Sequence, residues 1–268
     1  MQRPSERDRA SGAGASGAGA GGLGGEGGWR PDDYGAAFAD VYDEWYGRVS
    51  DADAIAAVVA ERCGTGPVLE LGVGTGRVAR PLRSFGLEVV GLDASGPMLD
   101  RCRANGVDPA LHLVRADMSH LPFRTRFGAV LIAFNTLFNL PSASRQRALF
   151  AEVAAVLAPD GVLVVETMDT AGLATAPARS IGVRSVGAEG LTVVACAVVA
   201  DDQTVAGQHV EIGPDGVRLR PWVLRWSTAD EIDRFAADAG LVGEAGREAE
   251  GEAGGDADGI VLTVFRHR

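Results

Sequence analysis

A glycine-rich turn between an apolar run and a helical pattern constrains this chain more than any other feature. The run Val68 to Leu71 is followed by Gly72, Gly74 and Gly76 at alternate positions, and apolar residues then recur at helical spacing as far as Leu82. This order predicts a strand, a tight turn and a helix. Glycines suit such a turn because they accept positive φ angles and let a ligand approach the backbone. The segment is therefore expected to open a nucleotide site in an α/β fold.

The spacing within this turn disfavours a dinucleotide cofactor. A G-x-G-x-x-G fingerprint requires glycine at position 77, where this chain has Arg77. Glu70 lies two residues before the first glycine. Its negative charge would repel a pyrophosphate but attract an ammonium or sulfonium group. The turn thus favours a cationic ligand over NAD.

The turn and the segments after it resemble the motifs of the class I S-adenosylmethionine-dependent methyltransferases. Asp93 ends a second apolar run, residues 95–99 resemble the helix entry that follows it, and Asp117-Met118 begins a segment similar to the one around the adenine in that family. The resemblance is clearest over residues 34–169. It implies S-adenosylmethionine as the cofactor and a doubly wound, Rossmann-like α/β sheet of seven strands, the last antiparallel.

The resemblance also implies which residues contact the cofactor. It assigns Asp93 to the ribose hydroxyls and Met98 to the adenine, and we place Asn135 at the reaction centre because it follows a buried strand. The residues predicted to bind the cofactor in this part of the chain are Glu70, Gly72, Gly74, Gly76, Asp93, Ala94, Met98, Asp117, Met118 and Asn135.

Residues 29–64 are predicted to form a helical lid over the cofactor. Aromatic residues between Asp33 and Tyr46 recur at three- and four-residue spacings, which predicts an amphipathic helix. The segment from Tyr42 to Arg48 looks like the Tyr-Asp-x-x-Tyr segment that caps the cofactor in many small-molecule methyltransferases. The resemblance implies that Tyr42, Tyr46 and Arg48 contact the cofactor. The alternative is that these aromatic rings simply belong to the core.

Composition excludes several classes of function. The net charge is −11, and all 25 basic residues are arginines spread along the chain, which argues against a nucleic-acid partner. Three scattered cysteines indicate a reducing, cytoplasmic environment and no metal site. An apolar run long enough to span a membrane is absent, as is a secretory signal, so no membrane association is expected.

The chain is predicted to consist of a short N-terminal tail and one domain. Residues 1–28 are rich in Gly and Ala and are expected to be a disordered tail, whereas residues 29–268 are expected to form one methyltransferase domain. Within it, residues 180–226 read as an antiparallel insertion of three strands that begin at Leu191, Thr204 and Val217. Ser227 is the predicted cap of the helix that follows.

The insertion is predicted to serve as an interaction surface. Arg218, Arg220 and Trp222 alternate along one strand, so that they share one face and can meet a ligand or a second subunit together. An exposed hairpin also needs a partner for its apolar face. A homodimer through the insertion is therefore expected.

Three side chains are candidates for a catalytic base. His120 follows the adenine segment, His209 lies in the insertion, and Glu166 lies near the carboxyl end of a strand. A lone histidine is more often structural than catalytic, and an acid at a strand end is often solvated. The identity of the base stays open among the three.

The predicted function is transfer of a methyl group from S-adenosylmethionine to an N or O atom of a small molecule, a secondary metabolite. The chain is loosely similar to the aminosugar N,N-dimethyltransferases. One alternative is a non-catalytic S-adenosylmethionine-binding protein. An RNA or protein methyltransferase is a further alternative, which the negative net charge disfavours for RNA.

Overall fold

The computed structural model describes residues 30–106, 108, 110–188, 190–244, 248–250 and 259–268, with the backbone alone for 248–250. The tail predicted to be disordered, residues 1–28, lies outside the described residues. The α-helices are α1 Asp33–Phe38, α2 Tyr42–Tyr46, α3 Ala52–Arg62, α4 Ala79–Ser84, α5 Gly96–Ala104, α6 Ala143–Val156 and α7 Ala229–Asp238. The strands are β1 Val68–Leu71, β2 Val89–Asp93, β3 His112–Arg115, β4 Phe127–Ile132, β5 Leu157–Met168, β6 Arg179–Gly187, β7 Gly190–Val199, β8 Thr204–Gly213, β9 Gly216–Arg225, β10 Leu241–Gly243, β11 Glu248–Glu250 and β12 Ile260–His267.

The central sheet has the predicted doubly wound topology. Its strand order is β10-β12-β5-β4-β1-β2-β3, and β11 pairs with β12 at the same edge as β10. Strands β1 to β5 run parallel to one another, whereas β12 runs antiparallel to β5. The predicted seven-stranded sheet with its last strand antiparallel is confirmed.

The register of the central strands creates the edge at which the site forms. Leu71 pairs with Leu92 on one side and with Ile132 on the other, so β1, β2 and β4 end side by side. Every residue of β1 and β4 is buried, as expected for strands covered on both faces. The residues that follow these strands therefore meet at one crevice, which is where open α/β sheets bind their ligands.

The insertion is a separate sheet of four antiparallel strands rather than three. Its order is β6-β7-β8-β9, and β6 was not predicted. The sequence of β6, R-S-I-G-V-R-S-V-G, contains two glycines and two serines, which weaken a strand pattern. Strand β6 is specified instead by its pairing with β7, a contact that a local pattern does not encode.

Two local predictions are corrected by the structure. The aromatic segment forms two short helices, α1 and α2, instead of one, with a break between Phe38 and Tyr42. Helix α7 is capped by Thr228, whose side chain pairs with Glu231 in a capping box. Ser227 is instead buried, and its hydroxyl group lies 2.6 Å from Gln146 Oε1. Thr228 is favoured as the cap because it lies three residues before a glutamate.

None of the described helices is long and apolar enough to cross a membrane.

Candidate active site

A cavity of about 440 Å³ lies at the carboxyl ends of β1, β2 and β4, between the lid helices and the insertion. Its size is within the range of small-molecule and cofactor sites. The residues predicted to form the site that do line it are Tyr42, Tyr46, Gly72, Gly74, Asp93, Ala94, Met98, Asp117, Met118, Asn135 and His209. The other predicted residues, Arg48, Glu70, Gly76, His120 and Glu166, are not among its lining residues.

Asp93 is fixed at the rim of β2 by backbone amides. Its Oδ2 accepts a hydrogen bond from the Gly74 amide at 2.9 Å, and its Oδ1 accepts one from the Ser95 amide at 2.8 Å. Burial raises the pKa of Asp93, and these backbone hydrogen bonds oppose that shift. A carboxylate has about four acceptor sites, so each oxygen keeps capacity for a further donor such as a ribose hydroxyl.

The three glycines of the turn have different structural roles. All have positive φ, which a side chain would strain. A Cβ on Gly72 would lie 2.5 Å from Thr136 Cγ2, so Gly72 allows close packing on the loop after β4. A Cβ on Gly74 would meet only one atom within 4 Å, at 3.9 Å, and would therefore project into open space. Gly72 and Gly74 line the cavity, whereas Gly76 does not. Because a side chain on Gly72 would meet Thr136, Gly74 is the glycine whose missing side chain leaves room for a ligand.

The loop after β4 is held in an unusual conformation. Phe134 has a φ of 49°, and such a value in a bulky residue signals local strain. The amide of Phe134 donates to Glu166 Oε2, and the side-chain oxygen of Asn135 accepts from the Met168 amide at 2.9 Å. These bonds to β5 fix the loop and place Phe134, Asn135 and Thr136 on the cavity wall.

Glu166 is neither solvated nor part of the cavity wall. It is fully buried, and its Oε2 lies 3.6 Å from a guanidinium nitrogen of Arg77. Among the described residues, its other oxygen has no hydrogen-bond partner, and the same is true of Oε2 of Glu70. Burial raises the pKa of Glu70 to about 8, although Arg77 opposes the shift. Two buried carboxyl groups thus share one arginine beneath the glycine turn.

The lid places aromatic hydroxyls over the crevice. Tyr34 stacks on Phe38 with ring centroids 4.7 Å apart, and Tyr42 lies 5.3 Å from Tyr46. Burial raises the pKa of Tyr34 well above its usual value and raises that of Tyr42 to about 12. These hydroxyls therefore stay protonated at neutral pH and can act as hydrogen-bond donors.

The cation at this wall is Arg184 of the insertion rather than Arg48. Arg48 is exposed, whereas Arg184 lines the cavity, lies over the rings of Trp45 and Tyr46 at 4.7 and 5.0 Å, and donates to the Trp45 carbonyl at 2.8 Å. It sits where the β6–β7 register shifts, between Val183 and Ser185. A bulge redirects a side chain, and this one directs the guanidinium toward the lid.

The face of β9 that carries Arg218, Arg220 and Trp222 packs on the lid of the same chain. Arg220 is buried, bonds to Asp40 at 2.6 and 2.9 Å, and also donates to Glu211 and to a backbone carbonyl of α1. Arg218 is exposed and bonds to Asp40 at 2.6 Å. The prediction that this face meets a second subunit does not fit this packing, because the lid already covers it.

His209 and Trp222 form one unit on the inner face of the insertion. The indole Nε1–H of Trp222 donates to His209 Nδ1 at 3.1 Å, and both residues line the cavity. A Cβ on Gly207 would lie 2.1 Å from Trp222 Cε2, so only glycine lets the indole lie across β8. His120 is exposed and lies outside the cavity lining.

Several lining residues were not predicted from the sequence. They are Pro31, Tyr34, Gly35, Leu92, Ala116, Phe134, Asn139, Met168, Leu173, Arg184, Val194, Val205 and Leu224. Most come from the lid and the insertion, which reach the crevice through tertiary packing. Trp222, which the strand alternation predicted to face a ligand or a second subunit, also lines the cavity.

Comparisons with known proteins agree with this geometry. The sequence model of a methyltransferase domain matches residues 68–161, the part that holds the glycine turn and the strands around it. The cypemycin N-terminal methyltransferase of a Streptomyces species is 29% identical over 176 residues, which are 65% of this chain and 71% of that protein. The dTDP-3-amino-3,6-dideoxy-alpha-D-glucopyranose N,N-dimethyltransferase of Streptomyces fradiae is 34% identical over 141 residues, which are 50% of this chain and 54% of that protein.

A solved structure extends the likeness to nearly the whole fold. The CcbJ methyltransferase of Streptomyces caelestis superposes with a TM-score of 0.80 at 32% sequence identity, covering 89% of this chain and 99% of that one. Likeness at this identity over almost all of a solved methyltransferase cannot be a match of fold alone. The chain therefore belongs to the class I S-adenosylmethionine-dependent methyltransferase family and is an enzyme that uses S-adenosylmethionine as its cofactor.

Proposed function

We propose that this methyltransferase acts on a small secondary metabolite. Of the two predicted acceptor atoms, N and O, we propose that it methylates an amine nitrogen. One observation carries the choice of nitrogen: none of the cavity's tyrosines or its histidine is a base poised near neutral pH. Burial raises the pKa of Tyr34, Tyr42 and Tyr46, and it lowers that of His209 to about 4. A hydroxyl acceptor would need such a base, whereas the neutral fraction of an amine already has a free lone pair.

The crevice side of the cavity fits the cofactor. Asp93 keeps acceptor capacity for the ribose hydroxyls, Gly74 leaves space where a side chain would stand, and Asp117 offers a half-buried carboxylate near the adenine position.

The opposite side of the cavity fits an organic acceptor. Val194, Val205, Leu224 and Trp222 supply apolar surface, and Arg184 and His209 supply polar groups. S-adenosylmethionine supplies an electrophilic methyl carbon on its sulfonium sulfur. The chain's own contribution is to exclude water and to hold the acceptor nitrogen in line with that carbon, at about 3–3.5 Å, which supplies a large part of the acceleration in such displacements.

A peptide α-amine is a second candidate acceptor. The cypemycin N-terminal methyltransferase shares 29% identity over 65% of this chain. An amine at the end of a peptide presents the same nucleophile as a small amine and needs only one residue to enter the cavity. The negative net charge of the chain would suit a cationic N-terminus.

The test is methyl transfer by the purified full-length chain to a panel of acceptors. The panel should contain aminosugars, other secondary-metabolite amines, matched hydroxyl compounds and short peptides with free or acetylated N-termini. We expect amine compounds to gain a methyl group in the mass spectrum as S-adenosylhomocysteine is released, and hydroxyl compounds to remain unchanged. Gly74→Val serves as the cofactor-site control. Methylation confined to hydroxyl compounds would contradict the choice of nitrogen.

We also propose that the enzyme works in the cytoplasm. Its three cysteines, Cys63, Cys102 and Cys196, are all free thiols. Unpaired cysteines are typical of proteins in reducing compartments.

We also propose that two copies of the protein form a homodimer through the outer face of the insertion. This face is opposite the one that packs on the lid, and its exposed residues are Ile181, Val183, Val186, Ile212, Val217 and Leu219, with exposures of 44 to 80%. The register aligns Val186 with Leu191, Leu191 with Ile212 and Ile212 with Val217, so the four strands form one continuous apolar surface. From strand spacing and rise, a sheet of this size covers roughly 600 Å². That area approaches the about 800 Å² that each partner buries in a standard interface.

Light scattering after size exclusion tests the dimer. We expect the wild type to be dimeric at micromolar concentration and the double variant Val217→Lys, Leu219→Lys to be monomeric, because charges would be buried in the interface. Val242→Lys is the matched control, since Val242 is 50% exposed on the central sheet. A monomeric wild type, or a double variant that remains dimeric, would contradict this interface.

A further inference from the structure

The His209 imidazole is bonded in a way that fixes which of its nitrogens carries the proton. Trp222 Nε1–H donates to Nδ1 of His209 at 3.1 Å. An indole nitrogen is only ever a donor, so Nδ1 must present its lone pair. A neutral imidazole then carries its hydrogen on Nε2. The geometry therefore selects the Nε2–H tautomer.

The Nε2–H group is the polar atom that His209 offers to the cavity. Nε2 has no hydrogen-bond partner within the described part of the chain, although His209 itself lines the cavity. His209 is buried, with only 3% of its surface exposed. An unpaired donor with so little access to water is costly, and a ligand acceptor would satisfy it.

The surroundings of the ring disfavour its protonation. Phe38 and Trp45 of the lid contact it with centroids 5.4 and 5.1 Å away and bring no charge. Arg184 from β6 and Arg220 from β9 repel an imidazolium, whereas Glu211 of β8 favours it. Burial is the largest effect, and together these groups lower the pKa of His209 to about 4. The ring thus stays neutral at physiological pH.

The position of the ring depends on Gly207 and Trp222. The indole crosses β8 only because Gly207 has no side chain. Register places Gly207 opposite Trp222, and His209 lies two residues further along the same face. Gly207 and Trp222 therefore act as positioning residues for the imidazole.

We propose that His209 is a specificity-determining residue that donates a hydrogen bond from Nε2 to an oxygen atom of the methyl acceptor, and that it is not the catalytic base. This inference rests on the proposed function, because it assigns a role toward the same acceptor. It narrows the substrate class to amines that carry a hydroxyl, ether or carbonyl oxygen near the methylated nitrogen. An acceptor without such an oxygen would leave Nε2–H unpaired and would be rejected.

The first test reads the tautomer and needs no acceptor. Nitrogen-15 NMR of the histidine-labelled full-length protein with S-adenosylhomocysteine should show Nδ1 of His209 unprotonated and Nε2 protonated from about pH 5.5 to 8. His209→Gln identifies the signal. In Trp222→Phe, which keeps the aromatic bulk but lacks the donor, the two tautomers should mix. A proton on Nδ1, or an imidazolium near pH 6.5, would overturn the inference.

The second test separates a donor from a base. With an acceptor that the wild type methylates, His209→Gln should keep kcat/KM within about threefold, because its amide supplies N–H near the Nε2 position. His209→Phe should lower kcat/KM roughly tenfold to a hundredfold, largely through KM. Equal losses in both variants, or a pH dependence of the wild-type rate that His209→Gln abolishes, would instead identify a base.

Controls keep this result distinct from failure of the proposed function. His112→Gln changes an exposed histidine of β3 that does not line the cavity and should leave both constants unaltered. Affinity for S-adenosylhomocysteine should be the same in all His209 variants, which shows that the cofactor site is intact. If the wild type methylates only acceptors without a neighbouring oxygen, the proposed function stands and the role of His209 falls.

Discussion

The buried carboxyl group of Glu70 should make the stability of the protein depend on pH, because it lacks a full set of hydrogen-bond partners. It is 2% exposed, and its Oε2 has no hydrogen-bond partner among the described residues. Burial raises its pKa from 4.5 to about 8, with Arg77 opposing the shift and Asp93 and Glu166 adding to it. Glu70→Gln keeps the shape and removes the ionisation. The variant should therefore remove the pH dependence that Glu70 gives to stability.

The sign of the effect follows from the direction of the shift. Between about pH 4.5 and 8 the folded protein holds a proton on Glu70 that the unfolded chain releases. The free energy of unfolding then falls as pH rises, by up to about 1.4 kcal/mol per pH unit. Over the whole window the upper bound is about 5 kcal/mol, and structural relaxation will reduce it. Relative to the wild type, Glu70→Gln should gain stability steadily from pH 5 to 8.

Urea denaturation of the protein without cofactor, at about pH 5.5, 6.5 and 7.5, measures this difference. Subtracting wild type from variant removes the pH dependence of all other groups, provided that the denaturant slope is unchanged. Glu88→Gln is the matched control, because Glu88 is exposed just before β2. If the stability difference between wild type and Glu70→Gln is the same at every pH, Glu70 is ionised in the folded state and the reasoning is refuted.

Four further predictions concern the cofactor site, the lid and the tail. Gly74→Val should abolish S-adenosylhomocysteine binding in calorimetry, whereas Gly86→Val, also at positive φ but away from the cavity, should bind it normally; binding by both would place the cofactor elsewhere. Asp93→Ala should cost about 1.5–3 kcal/mol of that affinity, and an unchanged affinity would remove Asp93 from the site. Gly35→Ala would place a Cβ 2.4 Å from Ser95 Cβ, so proteolysis of the lid should accelerate, and unchanged cleavage would mean that α1 readjusts freely. Deleting residues 1–28 should leave the melting temperature within error, and a fall of several degrees would show that the tail packs.

The sequence was most informative where function depends on local order along the chain. The glycine turn, Asp93 at the end of β2 and the helix entry at residues 95–99 each follow from a few consecutive residues. The parallel sheet follows as well, because buried strands alternate with helices. These features could be predicted since the physical cause, a backbone conformation or a cap, lies within one short segment.

The acceptor side could not be predicted in the same way. Arg184 reaches the cavity from a register shift in a strand that the pattern missed, and Trp222 reaches His209 only by crossing Gly207 on the neighbouring strand. Glu166 looked like a solvated strand end, yet the loop at Phe134 covers it. Each of these positions is decided by residues that are distant in the chain, so no local spacing encodes them.

A crystal structure of the protein with S-adenosylhomocysteine would show directly whether the crevice at β1, β2 and β4 holds the cofactor. We expect the ribose hydroxyls about 2.5–3.2 Å from the Asp93 carboxylate, with the glycine turn beside the amino-acid portion of the ligand. We also expect the sulfur atom to face the part of the cavity that is lined by Tyr46 and His209. Density for the ligand outside this crevice, or a ribose that makes no contact with Asp93, would show that the cofactor site lies elsewhere.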